Sequence, residues 1–265
     1  MRKSMLYVAL LSAGIALPSL VMAEDAAPAA PAAAAEPASP FAYNIGLYSQ
    51  YIFRGLTQTG EDLALQGGVD YAHSSGLYAG AWASNISWLE DASAYDNSSL
   101  ELDLYGGYRS EFGKTGIGYD IGLLQYVYPG DNKPGIKSAE TTEIYGALNY
   151  KWLQGKVSVI VSNGAWGTKD AAGTYYAELN ANIPVAETGI TANLHVGRQE
   201  YDLNGTDTLS YTDWKIGATK SFSNGINVGG YYTDTNGKTA GYGPAVYKGG
   251  NIADSQFTVF VQKTF

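Results

Sequence analysis

Ionisable side chains at two-residue spacing are the main chemical resource of this chain. Glu101 lies two residues from Asp103, and Asp213 two from Lys215, each pair separated by one apolar residue. The chain holds 25 Asp and Glu, 16 Lys and Arg, two His and no Cys in 265 residues. Without Cys there is no disulfide framework, thiolate metal site or lipid-anchored N-terminal Cys. No G-x-S-x-G, H-E-x-x-H or G-x-x-x-x-G-K-[ST] spacing occurs, so the common nucleophile, zinc and phosphate arrangements are missing. Gly116, Gly118 and Gly122 miss dinucleotide-binding spacing by a residue. Asp234-Thr235-Asn236-Gly237 resembles a fragment of a calcium loop, lacks the downstream Glu, and reads as a turn. No enzyme activity, cofactor or metal is expected. What such charges can do is set an electrostatic potential, if a fold lines them along one surface. Arg54 poses the problem most sharply, because it follows the apolar run Tyr51-Ile52-Phe53, and a soluble core rarely takes an unpartnered charge.

The elements that carry these residues alternate with period two. Ile190, Ala192, Leu194 and Val196 interleave with Thr191, Asn193, His195 and Gly197. Tyr175, Ala177, Leu179, Ala181 and Ile183 do the same, as do Leu100, Leu102 and Leu104, and Ile144, Gly146, Leu148 and Tyr150. About twelve such segments are predicted, at 43–56, 63–72, 77–87, 99–109, 116–128, 140–150, 156–165, 173–183, 189–201, 210–221, 226–235 and 255–265. In the third, the apolar face is either Tyr78, Trp82, Ile86 and Trp88 or Leu77, Ala79, Ala81 and Ala83. Connections at 73–76, 110–116, 152–155, 184–188 and 223–225 are short. Those near 57–62, 88–98, 129–139, 166–172, 202–209 and 236–254 are longer and polar, the last expected to be mobile. Strands of this length with alternating short and long connections predict an all-β transmembrane antiparallel up-and-down barrel of about twelve strands, with both termini periplasmic. Aromatics gather at the predicted strand ends: Tyr71, Tyr108, Tyr150, Trp152 and Phe222 at the turn side, and Tyr51, Phe53, Trp88, Tyr128, Trp166, Tyr201 and Tyr211 at the loop side. Such positions suit two interfacial girdles.

Processing and location follow. Arg2 and Lys3, the apolar run 6–20 and Val21-Met22-Ala23 predict a secretory signal over 1–23. Residues 24–40 are an Ala/Pro-rich periplasmic linker, and 41–265 form the barrel. Cleavage removes two cations, taking the formal charge from -9 to -11, and that acidity argues against a nucleic-acid partner. The last strand places Phe257, Val259, Val261 and the terminal Phe265 on one parity. This resembles the outer-membrane insertion signal read by the barrel-assembly machinery, with Lys263 departing from the usual apolar preference.

In a barrel the Arg54 problem dissolves. Parity turns Arg54 into a wet lumen while Tyr51 and Phe53 face lipid, where a mid-depth charge would cost roughly 2–4 kcal/mol. Inward carboxylates are predicted at Asp70, Glu101, Asp103, Asp120, Glu143, Glu178 and Asp213, and inward cations at Arg54, Arg109 and Lys215. The acidic excess favours cations in a continuous water path, although side chains or a folded-in loop could close one. His73 falls in a turn. His195 faces the lumen, whereas lipid hydrolysis would need a nucleophile at the lipid-facing rim. The stretches "SQYIFRGLTQT" at 49–59 and "LALQGGVDYAHSSGLYAGAWASNI" at 63–86 resemble the TorF-type family of predicted porins of Gram-negative bacteria, most strongly in the first three strands. The resemblance implies an outer-membrane barrel among lipid and lipopolysaccharide. The expected function is passive diffusion of small hydrophilic solutes with mild cation preference; the alternative is a non-conducting surface scaffold.

Overall fold

A computed structural model of the chain describes residues 39–201, 203 and 208–265. The signal segment and all but the end of the linker lie outside the described residues. Twelve strands close into one antiparallel barrel: β1 (Phe41–Tyr48), β4 (Ala64–Ala72), β5 (Leu77–Asn85), β6 (Leu100–Glu111), β7 (Ile117–Val127), β8 (Thr141–Tyr150), β9 (Leu153–Ile160), β12 (Tyr175–Val185), β13 (Ile190–Glu200), β14 (Tyr211–Ser221), β15 (Ile226–Thr235) and β16 (Gln256–Thr264). Two hairpins stand apart from the wall, β2 (Ile52–Phe53) with β3 (Leu56–Thr57) and β10 (Gly164–Ala165) with β11 (Thr168–Lys169). Single helical turns, α1 (Trp88–Asp91) and α2 (Thr239–Tyr242), sit in two of the long connections. No helix among the described residues is long and apolar enough to cross a membrane.

Closure comes from β1 pairing with β16, Leu47 opposite Val261 and Tyr48 opposite Phe260, while its other edge pairs with β4. No edge strand remains unpaired in the wall, as lipid requires. The outer face is apolar all round: Ile45, Leu65, Leu104, Ile121, Leu148, Leu179, Ile216 and Val259 all project outward and are exposed. The third predicted strand resolves in favour of Leu77, Ala79, Ala81 and Ala83 outside, with Tyr78 and Trp82 buried within. Phe257, Val259, Val261 and Phe265 are likewise exposed on the outer face. Lys263 turns back at the rim, its Nζ donating to the Asn224 carbonyl and lying 5.0 Å from the Phe265 ring centroid.

Inside, large rings lie over glycines of the neighbouring strand. Tyr105 stands opposite Gly80, Tyr145 opposite Gly122 and Phe260 opposite Gly229, and a Cβ on any of these glycines would run into the ring. Glycine here makes room for lumen-filling aromatics and shields its own backbone beneath them.

Two boundaries differ from expectation. The first strand ends at Tyr48, and residues 49–63 leave the wall. The segment predicted at 156–165 runs from Leu153 to Ile160, because the turn before it is Lys151-Trp152, with Lys151 at φ 54°. Lys156 lies inside this strand on the parity opposite outward Val157 and so faces the lumen.

Candidate functional site: a charged lumen closed by an inward hairpin

The stretch after β1 folds into the barrel. Arg54 and Gly55 have φ 48° and 78°, so Ile52–Phe53 and Leu56–Thr57 are joined by a two-residue turn with both central residues left-handed. Turns of that kind suit tight hairpins and normally take Asn-Gly or Gly-Gly. Arg54 in the first position is strained, at a cost on the order of 1 kcal/mol, and its contacts offset that. Its guanidinium forms two parallel hydrogen bonds to Glu143, both 2.9 Å, and a third to Gln199 Oε1 at 3.0 Å. Its Cζ lies 4.4 Å from the centroid of Tyr176, 4.8 Å from Phe53 and 5.3 Å from Trp166. Arg54 is 3% exposed and Glu143 1%. The hairpin therefore crosses the lumen from β1 to the far wall, where Gly55 packs so closely on Asp213 and Thr235 that a Cβ there would lie 2.6 Å from each.

The second small hairpin meets it with the same turn: Trp166 and Gly167 have φ 47° and 84°. The Trp166 ring packs edge-on against Phe53 and Tyr126, with centroids 5.8 and 5.7 Å away, and the Trp166 backbone N–H donates to Thr141 Oγ1. Other loops fasten the plug. Thr57 donates to the Ile252 carbonyl at 3.0 Å, and the Gln58 carbonyl accepts from Ser87 and Trp88. The 236–255 connection, expected to be mobile, packs Tyr242, Ile252 and Ala253 against Tyr211.

Sequence parity sent Tyr51 and Phe53 to lipid, and this is corrected. Tyr51 is 1% exposed, and its hydroxyl donates to Glu101 at 2.8 Å. Burial, reinforced by Glu101, pushes its phenol well above the ordinary range, so it stays a donor. The loop-side girdle is corrected with it. Trp88, Tyr128 and Tyr211 are buried, and Phe53 and Trp166 pack into the same interior. At the turn side Tyr150, Trp152 and Phe222 do face outward.

The structure turns every charge named from the sequence into the lumen, and brings several together. Arg109 stands opposite Asp120 on the neighbouring strand and 4.0 Å over the Tyr78 ring, whose hydroxyl donates to Asp120 at 2.5 Å. Tyr105 donates to Asp70 at 2.5 Å. Lys156, not named from the sequence, lies 3.5 Å from Glu178. His195 sits with Nε2 2.8 Å from Asp213 and 2.9 Å from the Tyr176 hydroxyl, and with Nδ1 2.6 Å from Asn180 Oδ1. Lys215 lies 5.2 Å over Tyr231. The charges occupy β4 to β14, while the inward residues of β15, β16 and β1 are uncharged. Glu101, Asp103, Glu143, Gln199 and Asp213 beside the hairpin are all at or below 2% exposed. Toward the turns Arg109, Asp120, Asn149, Asn182 and Asn193 are partly exposed, while Asp70, Thr219 and Asn227 at the same end are buried.

Asp103 is the exception to this pairing. It is 1% exposed, and no donor among the described residues reaches either carboxylate oxygen. Such burial is costly. Asp103→Asn removes the charge at nearly constant shape and should stabilise the folded barrel by about 1–3 kcal/mol, read as a higher midpoint of the heat-induced gel shift. An unchanged or lower midpoint would show that the carboxylate holds a partner.

An apolar outside, closed strand ladder and polar charged inside define a porin-like transmembrane β-barrel. The chain belongs to the family described as "Bacterial protein of unknown function (Gcw_chp)", whose profile matches residues 33–265. No curated protein matches the sequence. Among solved structures, a KdgM porin superposes with TM-score 0.51 at 8% identity, over 84% of this chain and 99% of that chain. A KdgM porin in complex with disordered oligogalacturonate gives 0.49 at 8% identity, over 85% and 98%. LpxR from Salmonella typhimurium gives 0.41 at 10% identity, over 84% and 99%. The KdgM likeness is one of fold.

Proposed function

We propose that this chain is an outer-membrane channel for small hydrophilic solutes, closed at its loop side by the 50–59 hairpin and mildly cation-preferring when open. The observation that carries this reading is a lumen lined with charged and polar side chains, several of them partly exposed toward the turns, that meets a plug tied by the buried Arg54–Glu143 ion pair. The likeness to TorF-type predicted porins supports the same reading, as does the barrel shared with KdgM. The second reading, a non-conducting scaffold, draws on the aromatic packing around Phe53, Trp166 and Tyr126. Osmotic swelling of proteoliposomes in arabinose separates the two: permeation by the wild type or by a hairpin-shortened variant supports the channel, and no permeation in either supports the scaffold.

The same reading places the barrel in the outer membrane of a Gram-negative bacterium after removal of residues 1–23, among lipid and lipopolysaccharide, with its turns periplasmic. Phe265 is 70% exposed just past the turn-side end of β16, where the assembly machinery could reach it. Its deletion should lower the heat-modifiable folded fraction in the outer membrane severalfold. Unchanged insertion at low expression would reject that role.

A further inference from the structure

We propose that the wall around Arg54 is a binding site for alkylguanidinium ions, occupied here by the chain's own hairpin. The wall supplies the site: Glu143 from β8, Tyr176 from β12 and Gln199 from β13, with Trp166 closing it from the opposing hairpin. Glu143 presents both carboxylate oxygens side by side, each 2.9 Å from a different terminal nitrogen. That spacing matches the planar fork of a guanidinium, and an ammonium ion can satisfy it only as a point charge. Gln199 Oε1 takes a further N–H at 3.0 Å, and the Tyr176 ring covers one face at 4.4 Å. Tyr126 donates to Glu143 Oε2 at 3.2 Å, fixing the carboxylate. Glu143 and Gln199 are 1% exposed and Tyr176 is fully buried.

None of these wall groups belongs to the 50–59 segment, so the site outlasts withdrawal of the hairpin. Arg54 then acts as a tethered ligand, present at an effective concentration on the order of millimolar, with which any free ligand must compete. The ligand class follows from what the site already holds: a small monoalkylguanidinium, with an apolar stem lying between rings. This inference rests on the closed-hairpin geometry rather than on conduction, so a barrel that never conducts would leave it standing.

The test uses the full chain folded in detergent and n-propylguanidinium chloride as probe, with n-butylammonium chloride as comparator. Arg54→Gly keeps the left-handed turn and vacates the site. By calorimetry, propylguanidinium should bind R54G at least about tenfold more tightly than wild type, than R54G/E143Q, and than butylammonium binds R54G. Equal binding to R54G and R54G/E143Q, equal binding of the two cations, or no binding by folded R54G would overturn the proposal. Should R54G fail to fold while the double variant folds, propylguanidinium in the refolding buffer should restore the folded yield of R54G, and failure to do so would count against the site. A second arm needs neither variant. In a Thr57→Cys chain, 100 mM propylguanidinium should accelerate thiol labelling at the hairpin, and butylammonium at equal ionic strength should not; equal effects would refute the guanidinium specificity.

Discussion

Replacing Glu143 by Gln should free the hairpin, raising the labelling rate of a thiol placed at Thr57 by roughly 100-fold to several thousand-fold. Breaking a buried ion pair from one side costs about 3–5 kcal/mol, because the remaining charge stays buried without its partner, and each 1.4 kcal/mol is about a factor of ten in an equilibrium. The barrel wall is closed by its own ladder, so the cost falls on the hairpin, which is held by the Arg54 contacts, by the packing of Tyr51 and Phe53 and by a few hydrogen bonds. Thr57 is 3% exposed, and the native chain has no Cys, so a single thiol reports opening without background. Arg54→Met should open the hairpin comparably by stranding Glu143. Combining the two removes both charges, and the double variant should label far more slowly than either single variant, close to the wild-type rate. Additive effects would show that Arg54 and Glu143 do not hold the plug.

Once the hairpin is gone, the lumen should prefer cations, because its acidic excess rises from seven against four to seven against three. With the hairpin in place, Asp70, Glu101, Asp103, Asp120, Glu143, Glu178 and Asp213 face Arg54, Arg109, Lys156 and Lys215. Shortening the 50–62 connection removes Arg54 and uncovers Glu143, leaving seven carboxylates against three cationic side chains. β1 and β4 pair to their ends, Tyr48 opposite Ala64, so a Gly-Asn-Gly-Ser turn can join them. In this background Glu143→Gln should lower cation preference and Arg109→Gln should raise it. Both effects should grow at low salt, since charges are screened over a Debye length of about 10 Å at 0.1 M. Reversal potentials under a salt gradient read this directly. Anion preference in the shortened barrel, or no response to either substitution, would refute the lumen charge assignment.

The wall was legible in the sequence and the plug was not. β13 and β16 show one apolar face and one polar face, and lipid outside with water inside demands that alternation at every position. Past Tyr48 the same alternation continues through Tyr51, Ile52 and Phe53, although the chain has already left the sheet. An aromatic that would serve at a membrane interface serves equally well inside a plug, so the residue types carried no distinction. The turn also lacks the usual Asn-Gly signal, because Arg54 occupies a left-handed position for the sake of Glu143, 89 residues away. The start of β9 was misplaced for a related reason. The turn before it is made by Lys151 at positive φ and Trp152, neither a typical turn former, and the glycine three residues later drew the boundary instead.

Single-channel conductance in planar bilayers, comparing the wild type with the chain whose 50–62 connection is replaced by Gly-Asn-Gly-Ser, tests most directly whether the hairpin closes a channel. The wild type should be silent or show only brief openings, and the shortened barrel should conduct steadily. A wild type that already conducts at the level of the shortened barrel would show that the hairpin leaves the path open, and a shortened barrel that stays silent while folded would show that there is no path for it to close.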